Sequence, residues 1–287
     1  MEQSEIVELI TKTINSIFTT IFLSIDNNIY SNLDNITFIN SNIINNGTFK
    51  ELLGNNSKTG FILITDSLLL SIILFYIIKY YYSNFVETNI EKPSQFIFKI
   101  IIFGILINSS YFIISQILDF TDMLSTSLAQ IGENIVGNKI NFSELITSLN
   151  KKLYTSYDDF NVFSFEGMIK SFISTGLLNL LFVYSLRFIL IKVFILFSPF
   201  AIFTLISNST SWIFKAWSKC LFSLLIIQLF IPIILIIIFT IDDSNKILYL
   251  GGIYALTKIN YYVREIFGGI GLDVSGQLAN FKSFISK

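Results

Sequence analysis

The chain has no histidine and a single cysteine in 287 residues. Without histidine, Ser-His-Asp and Cys-His catalysis, HExxH zinc sites and histidine-ligated haem are excluded. The lone Cys220 can form neither an internal disulfide nor a cysteine-based metal cluster, and reads as a small apolar residue at a helix start. Proline (three) and tryptophan (two) are also scarce. Charged residues make up 14%, against about 25% in soluble domains. The net charge of −1 gives no bulk attraction for nucleic acid.

In place of these the chain has apolar length. It is 53% hydrophobic, with a mean hydropathy of +0.67. Leu221 to Ile241 carries no charge, and a helix needs about 20 apolar residues to cross a hydrocarbon core about 30 Å thick. The 13 residues before it, Asn208 to Cys220, hold Trp212, Trp217, Lys215 and Lys219 and no acid. Aromatic plus basic can also mean a nucleic-acid surface. Between two apolar runs it marks the headgroup layer. The chain is therefore read as an integral membrane protein.

Four further apolar runs predict spans at Phe61 to Tyr82, Phe96 to Leu118, Gly167 to Leu190 and Ile247 to Val263. The fold expected is all-α and polytopic, with about five transmembrane helices. The first run contains Asp66, an intramembrane carboxylate one or two turns from the edge, where it can also reach water. In the second, Asn108 needs a partner on another helix. In the third, Ser171, Thr175 and Gly176 make a small-residue face, Arg187 sits close to the end and Lys192 follows. Arg187 reads as a basic boundary anchor or as a charge at a subunit contact or on a substrate path. Gln228 and Pro232 share the longest run. Pro232 frees the carbonyl of residue 228, which predicts a kink with a polar lining.

Val193 to Ile206 is apolar but only 14 residues long, and Ser198-Pro199 interrupts it. It fits a short kinked span or a re-entrant or in-plane piece shielded by protein; we favour the second. At the N-terminus, Ile6, Ile10, Ile14, Ile17, Ile21 and Ile25 recur at helical spacing behind Glu2, Glu5 and Glu8. This predicts an amphipathic helix on the membrane or against another subunit, and the acidic start argues against a secretory signal. Residues 26–60 read as loop. Gly54 to Thr59 resembles a phosphate loop, but Ser57 stands where glycine is required before Lys58. Residues 119–166 hold seven acids and three lysines and predict two helices separated at Gly137, outside the membrane.

The parsing is thus 1–60 outside, a membrane hairpin at 61–118, an extracytoplasmic helical region at 119–166, a membrane core at 167–263 and a tail at 264–287. Residues 1–60 carry six acids against three lysines, whereas 185–220 carry four basic residues and no acid. Basic loops stay in the cytoplasm, so the N-terminus is expected outside and the C-terminus inside the cytoplasmic membrane.

The run RFILIKVFILFSPFAIFTL followed by WIFKAWSKCLFSLLIIQLFIPIIL resembles the TrbL-type inner-membrane subunits of conjugative type IV secretion systems. Arg187, Ser198-Pro199-Phe200, Trp212 and Trp217 carry the resemblance, and the tail GGIYALTKINYYVREIFGGIGLDVSGQ is similar to the Gram-positive branch. It covers most of 60–275 by architecture and about 80 residues by recognisable sequence. The resemblance implies a non-enzymatic channel or scaffold subunit without a cofactor. Its partners would be membrane lipids, further copies of itself, other secretion subunits and ATPases, and translocating DNA in transient contact. A secondary transporter for a small solute is the competing class. Against it, the sequence has no internal repeat and its charges cluster at span ends.

Overall fold

The computed structural model describes residues 3–54, 60–86, 91–153, 161–242 and 245–267. These form helices and no strand. The uncharged run becomes α9, Ser211–Phe239, 29 residues and about 44 Å long. It takes in the Trp- and Lys-bearing stretch as its own first turns. Three helices pack on it: α5 (Ser110–Val136), α7 (Phe165–Leu196) and α10 (Lys246–Phe267). Ser125 meets Gln228 and Gly132 meets Ile236, so α5 and α9 run parallel. Trp217 meets Phe194 and Arg187 meets Leu224, so α7 and α9 run antiparallel.

Helix α1 (Gln3–Thr37) packs along α7, and α6 (Phe142–Leu153) lies against α1 and reaches α9. The short α2 (Gly47–Leu53) leads into a hairpin of α3 (Phe61–Val86) and α4 (Pro93–Asn108). That hairpin docks on α8 (Ser198–Phe203) through a second, smaller core of Leu53, Ile62, Ile107 and Ile202.

The chain is an all-α polytopic membrane protein. Four helices are long and apolar enough to cross a bilayer: Glu5–Asn27 of α1, Phe61–Ser83 of α3, α7 and α9. The pair α4 and α5, bent by 55°, adds a fifth. The membership differs from expectation at both ends. Ile247 to Val263 is helical within α10 but less apolar than the crossing helices. Glu5–Asn27 is apolar enough, and hardly any of it is covered by the rest of the chain.

Four boundaries moved, each for a physical reason. Residues 26–37 are helix rather than loop. Ile29, Leu33 and Thr37 recur every four residues and are buried, and that burial outweighs the loop preference of the Asn and Ser residues between them. The second span is broken at Ser109, whose φ of −88° and ψ of 0° lie between the regular regions. Asn108 Nδ2 donates to Gly104 O at 3.0 Å there, a side chain competing for a helix carbonyl. Residues 119–136 continue α5 from Ser110 and lie beside α9, so they are not a separate element. Gly137, in the left-handed region at φ 78°, ends that helix.

The fourth concerns Val193 to Ile206. It comprises the end of α7, α8 and a 3-10 turn, Thr204–Ile206. Pro199 lies in the first turn of α8, where its missing N–H costs nothing. The nine residues of α8 and the turn span about 15 Å, half the hydrocarbon thickness. They cannot cross, so the end of α7 and the start of α9 lie at one level. The phosphate-loop look-alike from 55 to 59, residues 154–160 and the tail from Gly268 lie outside the described residues.

Candidate functional site

The centre of the bundle is built around one turn of α9. Pro232 has no N–H to offer the carbonyl of Gln228. Ser125 Oγ of α5 fills the gap, donating to Gln228 O at 3.1 Å. The Gln228 side chain is fully buried and turns toward the chain just past α1. Its Oε1 accepts from Ile39 N at 3.0 Å, and its Nε2 donates to Ile39 O at 3.2 Å. Nε2 also lies 3.4 Å from Asp122 Oδ1 of α5. One amide thus satisfies both backbone groups of a residue outside any helix. Gln228 is the eighth residue of the uncharged run, so the chain loses its helix at a depth where lipid could not hydrate it.

Arg187 completes the centre. It is 0% exposed. Nε donates to Leu224 O at 2.8 Å, Nη1 to Thr37 O at 2.9 Å and Nη2 to Gln228 Oε1 at 3.5 Å. Among the described residues no carboxylate lies within 4.0 Å of its guanidinium. The charge is held by dipoles instead. Thr37 O is one of the last carbonyls of α1, which lack helix partners and carry the negative end of the helix dipole. The boundary-anchor reading of Arg187 is therefore overturned. It is buried because α7 does not end near it but runs on to Leu196. Lys192 is the more exposed cation, with Nζ 4.7 Å from the Phe188 ring centre.

A second polar centre joins α1, α6 and α7. Lys170 Nζ lies 2.7 Å from Asp26 Oδ2 and 2.5 Å from Asn150 Oδ1, and Asn150 Nδ2 donates to Asp26 Oδ2 at 2.9 Å. Asp26 and Lys170 are both buried. Two turns further along α1, Asp34 accepts from Phe142 N at 2.8 Å and Ser143 N at 3.2 Å, capping α6 from another helix. Sequence reasoning missed Asp26, Asp34, Asp122, Ser125, Asn150 and Lys170. Lys170 was legible as a cation inside an apolar run, and Asp26 as an acid between Ile25 and Ile29.

The remaining sequence candidates sit elsewhere. Asp66 accepts from Asn108 Nδ2 at 3.3 Å across the α3–α4 hairpin, which supplies the partner Asn108 requires. Ser198 and Pro199 are buried in α8. The two tryptophans part company. Trp212 is 65% exposed, as a boundary residue should be. Trp217 is 9% exposed, and its Nε1 donates at 2.9 Å to Phe194 O, an orphan carbonyl at the end of α7. Among the described residues no three His, Cys, Asp or Glu side chains converge.

The geometry defines a polytopic helical membrane protein whose central polar groups are engaged in joining α1, α5, α7 and α9. No protein-family model, curated protein or solved structure matches the chain.

Proposed function

We propose that this protein is a channel or scaffold subunit of a conjugative type IV secretion system, embedded in the cytoplasmic membrane. Its role is to help DNA–protein substrate across that membrane while separate ATPases supply the energy. The observation that carries this reading is the closed centre around Arg187 and Gln228. Its donors and acceptors hold helices to one another, as a scaffold requires. The same Arg187, Ser198-Pro199-Phe200 and tryptophan positions carry the resemblance to TrbL-type subunits.

Two further features support assembly. The α3–α4 hairpin turns a broad apolar face outward, including Phe75, Ile78, Phe98 and Ile105. That face suits lipid or further copies of the chain. The excess of basic residues at 185–220 favours a cytoplasmic connection between α7 and α9, the side on which separate ATPases act. Deletion of the gene is expected to abolish conjugative transfer while leaving growth normal. Unimpaired transfer by the deletion strain rejects the proposal.

One observation favours a second reading, a secondary transporter. Helix α1 ends inside the bundle at the level of Gln228, and interrupted helices line the substrate sites of many transporters. Solute uptake by purified protein in liposomes would establish that reading.

A further inference from the structure

An apolar groove of about 320 Å³ opens beside the α4–α5 bend. It is bounded by Ile114 and Ile117 of α5, Ile202 of α8, and Trp217, Leu221 and Phe222 of α9. Its volume falls within the range of small-ligand sites. Two polar features meet this apolar wall. Ser110 is fully buried and lines the groove, and its hydroxyl has no hydrogen-bond partner among the described residues. Lys215 and Lys219 are exposed on α9. Each lies three residues before a lining residue, Ser218 and Phe222, so the lysines form the neighbouring row on the helix surface.

The same end of α9 has no side-chain cap. No side chain accepts from its first N–H groups; Ser211 N donates to Ser207 O and Ile213 N to Thr210 O, and the Thr210 hydroxyl donates to Thr204 O and Ser207 O. The dipole of a 29-residue helix adds positive potential beside the two lysines. No acid lies between Arg187 and Cys220 to oppose it.

We infer that this groove binds one anionic phospholipid. An acyl chain lies against Ile114, Ile117 and Leu221, and the phosphate meets Lys215 and Lys219 near the start of α9. The Ser110 hydroxyl, between tail and headgroup, supplies a donor for an ester carbonyl. An apolar slot with a basic mouth matches an amphiphile with a long tail and a negative head. The inference does not depend on a role in secretion.

Trp217 lines the groove and is one of only two tryptophans, so it can report occupancy. The full chain carrying Trp212→Phe would be reconstituted in phosphatidylcholine vesicles. These would be doped with phosphatidylglycerol or phosphatidylcholine bearing brominated acyl chains, which quench tryptophan on contact. Brominated phosphatidylglycerol is expected to quench at a lower mole fraction than brominated phosphatidylcholine. Lys215→Gln and Lys219→Gln should each weaken that preference about fivefold, while Lys215→Arg keeps it. Ser218→Phe, which fills the groove without changing charge, should remove the quenching by both lipids. Coincident curves for the two lipids in the parent protein overturn the inference. Absence of quenching, as when a second copy covers the groove, also overturns it, as does undiminished quenching in Ser218→Phe.

Discussion

Replacing Gln228 by Met isolates the polar centre from its packing. The two side chains are alike in length and volume, so no cavity opens. What is lost is the partner of Ile39 N at 3.0 Å and of Ile39 O at 3.2 Å, on a residue that is itself buried. An unsatisfied buried polar group costs about 1–3 kcal/mol. Measured side-chain hydrogen bonds between membrane helices average about 0.6 kcal/mol and reach about 1.7, because the unfolded state in the membrane also finds partners. The 3.5 Å contact to Arg187 is long and adds little. Two lost bonds therefore predict a destabilisation of about 2–3 kcal/mol. The assay is unfolding of purified protein in mixed micelles of mild detergent and dodecyl sulfate, followed by helix content. Leu225→Met, at an equally buried neighbour on α9, provides the packing control and should cost under about 1.5 kcal/mol. If Gln228→Met and Leu225→Met unfold within about 0.5 kcal/mol of each other, the amide is not what secures the end of α1.

Lys170→Met should cost about 3–5 kcal/mol in the same titration, because it strands the buried Asp26 carboxylate. Adding Asp26→Leu should recover much of that loss, and no recovery would show that the pair does not act as a unit. On α10, Gly252→Ala should destabilise by about 1–3 kcal/mol, since a Cβ there meets Ile238. Its neighbour Gly251→Ala, with nothing within 4 Å, should gain up to about 1 kcal/mol of helix stability. Asp34→Ala should cost about 1–2 kcal/mol through loss of the α6 cap, read in the unfolding titration. Single cysteines at 193–196 and at 208–211, on a Cys220→Ser background, should label from one side of the membrane only. Labelling from opposite sides would contradict the short α8 connection.

The sequence made α3, the α4–α5 pair, α7 and α9 legible as crossing helices, because a bilayer sets a length and forbids charge and both are local properties of a run, whereas Glu5–Asn27, read as an amphipathic surface helix, was not. The carbonyl that Pro232 frees was legible too, since a missing N–H leaves one particular acceptor unpaired. The partner of that carbonyl was not, because Ser125 lies 103 residues away in a stretch whose acids suggested a water-facing loop. Asp119 and Asp122 are real acids, but they share their helix with the buried Ile114, Leu118 and Gly132. Average polarity over 119–136 hid one buried stripe. Arg187 misled in the opposite way. A cation near the end of an apolar run looks like a boundary anchor, and only the continuation of α7 through Lys192 places it inside.

Five polar side chains of the core fall where a helix stops or its hydrogen bonding is interrupted. Arg187 and Gln228 meet the end of α1, Trp217 meets the last turn of α7, Asp34 meets the start of α6, and Ser125 meets the carbonyl that Pro232 frees. A helix end exposes four unpaired backbone groups, and a membrane interior offers no water to take them. Each interruption therefore demands a side chain from another element, and each such side chain fixes the position of the element it comes from. The link between Gln228 and Ile39 spans 189 residues, and that between Arg187 and Thr37 spans 150. Apolar contacts alone would let the helices slide along or turn about one another at little cost, because lipid tails are as apolar as the helices themselves. In this bundle the breaks in the backbone set the register, and the few buried polar side chains are the means by which the sequence specifies it.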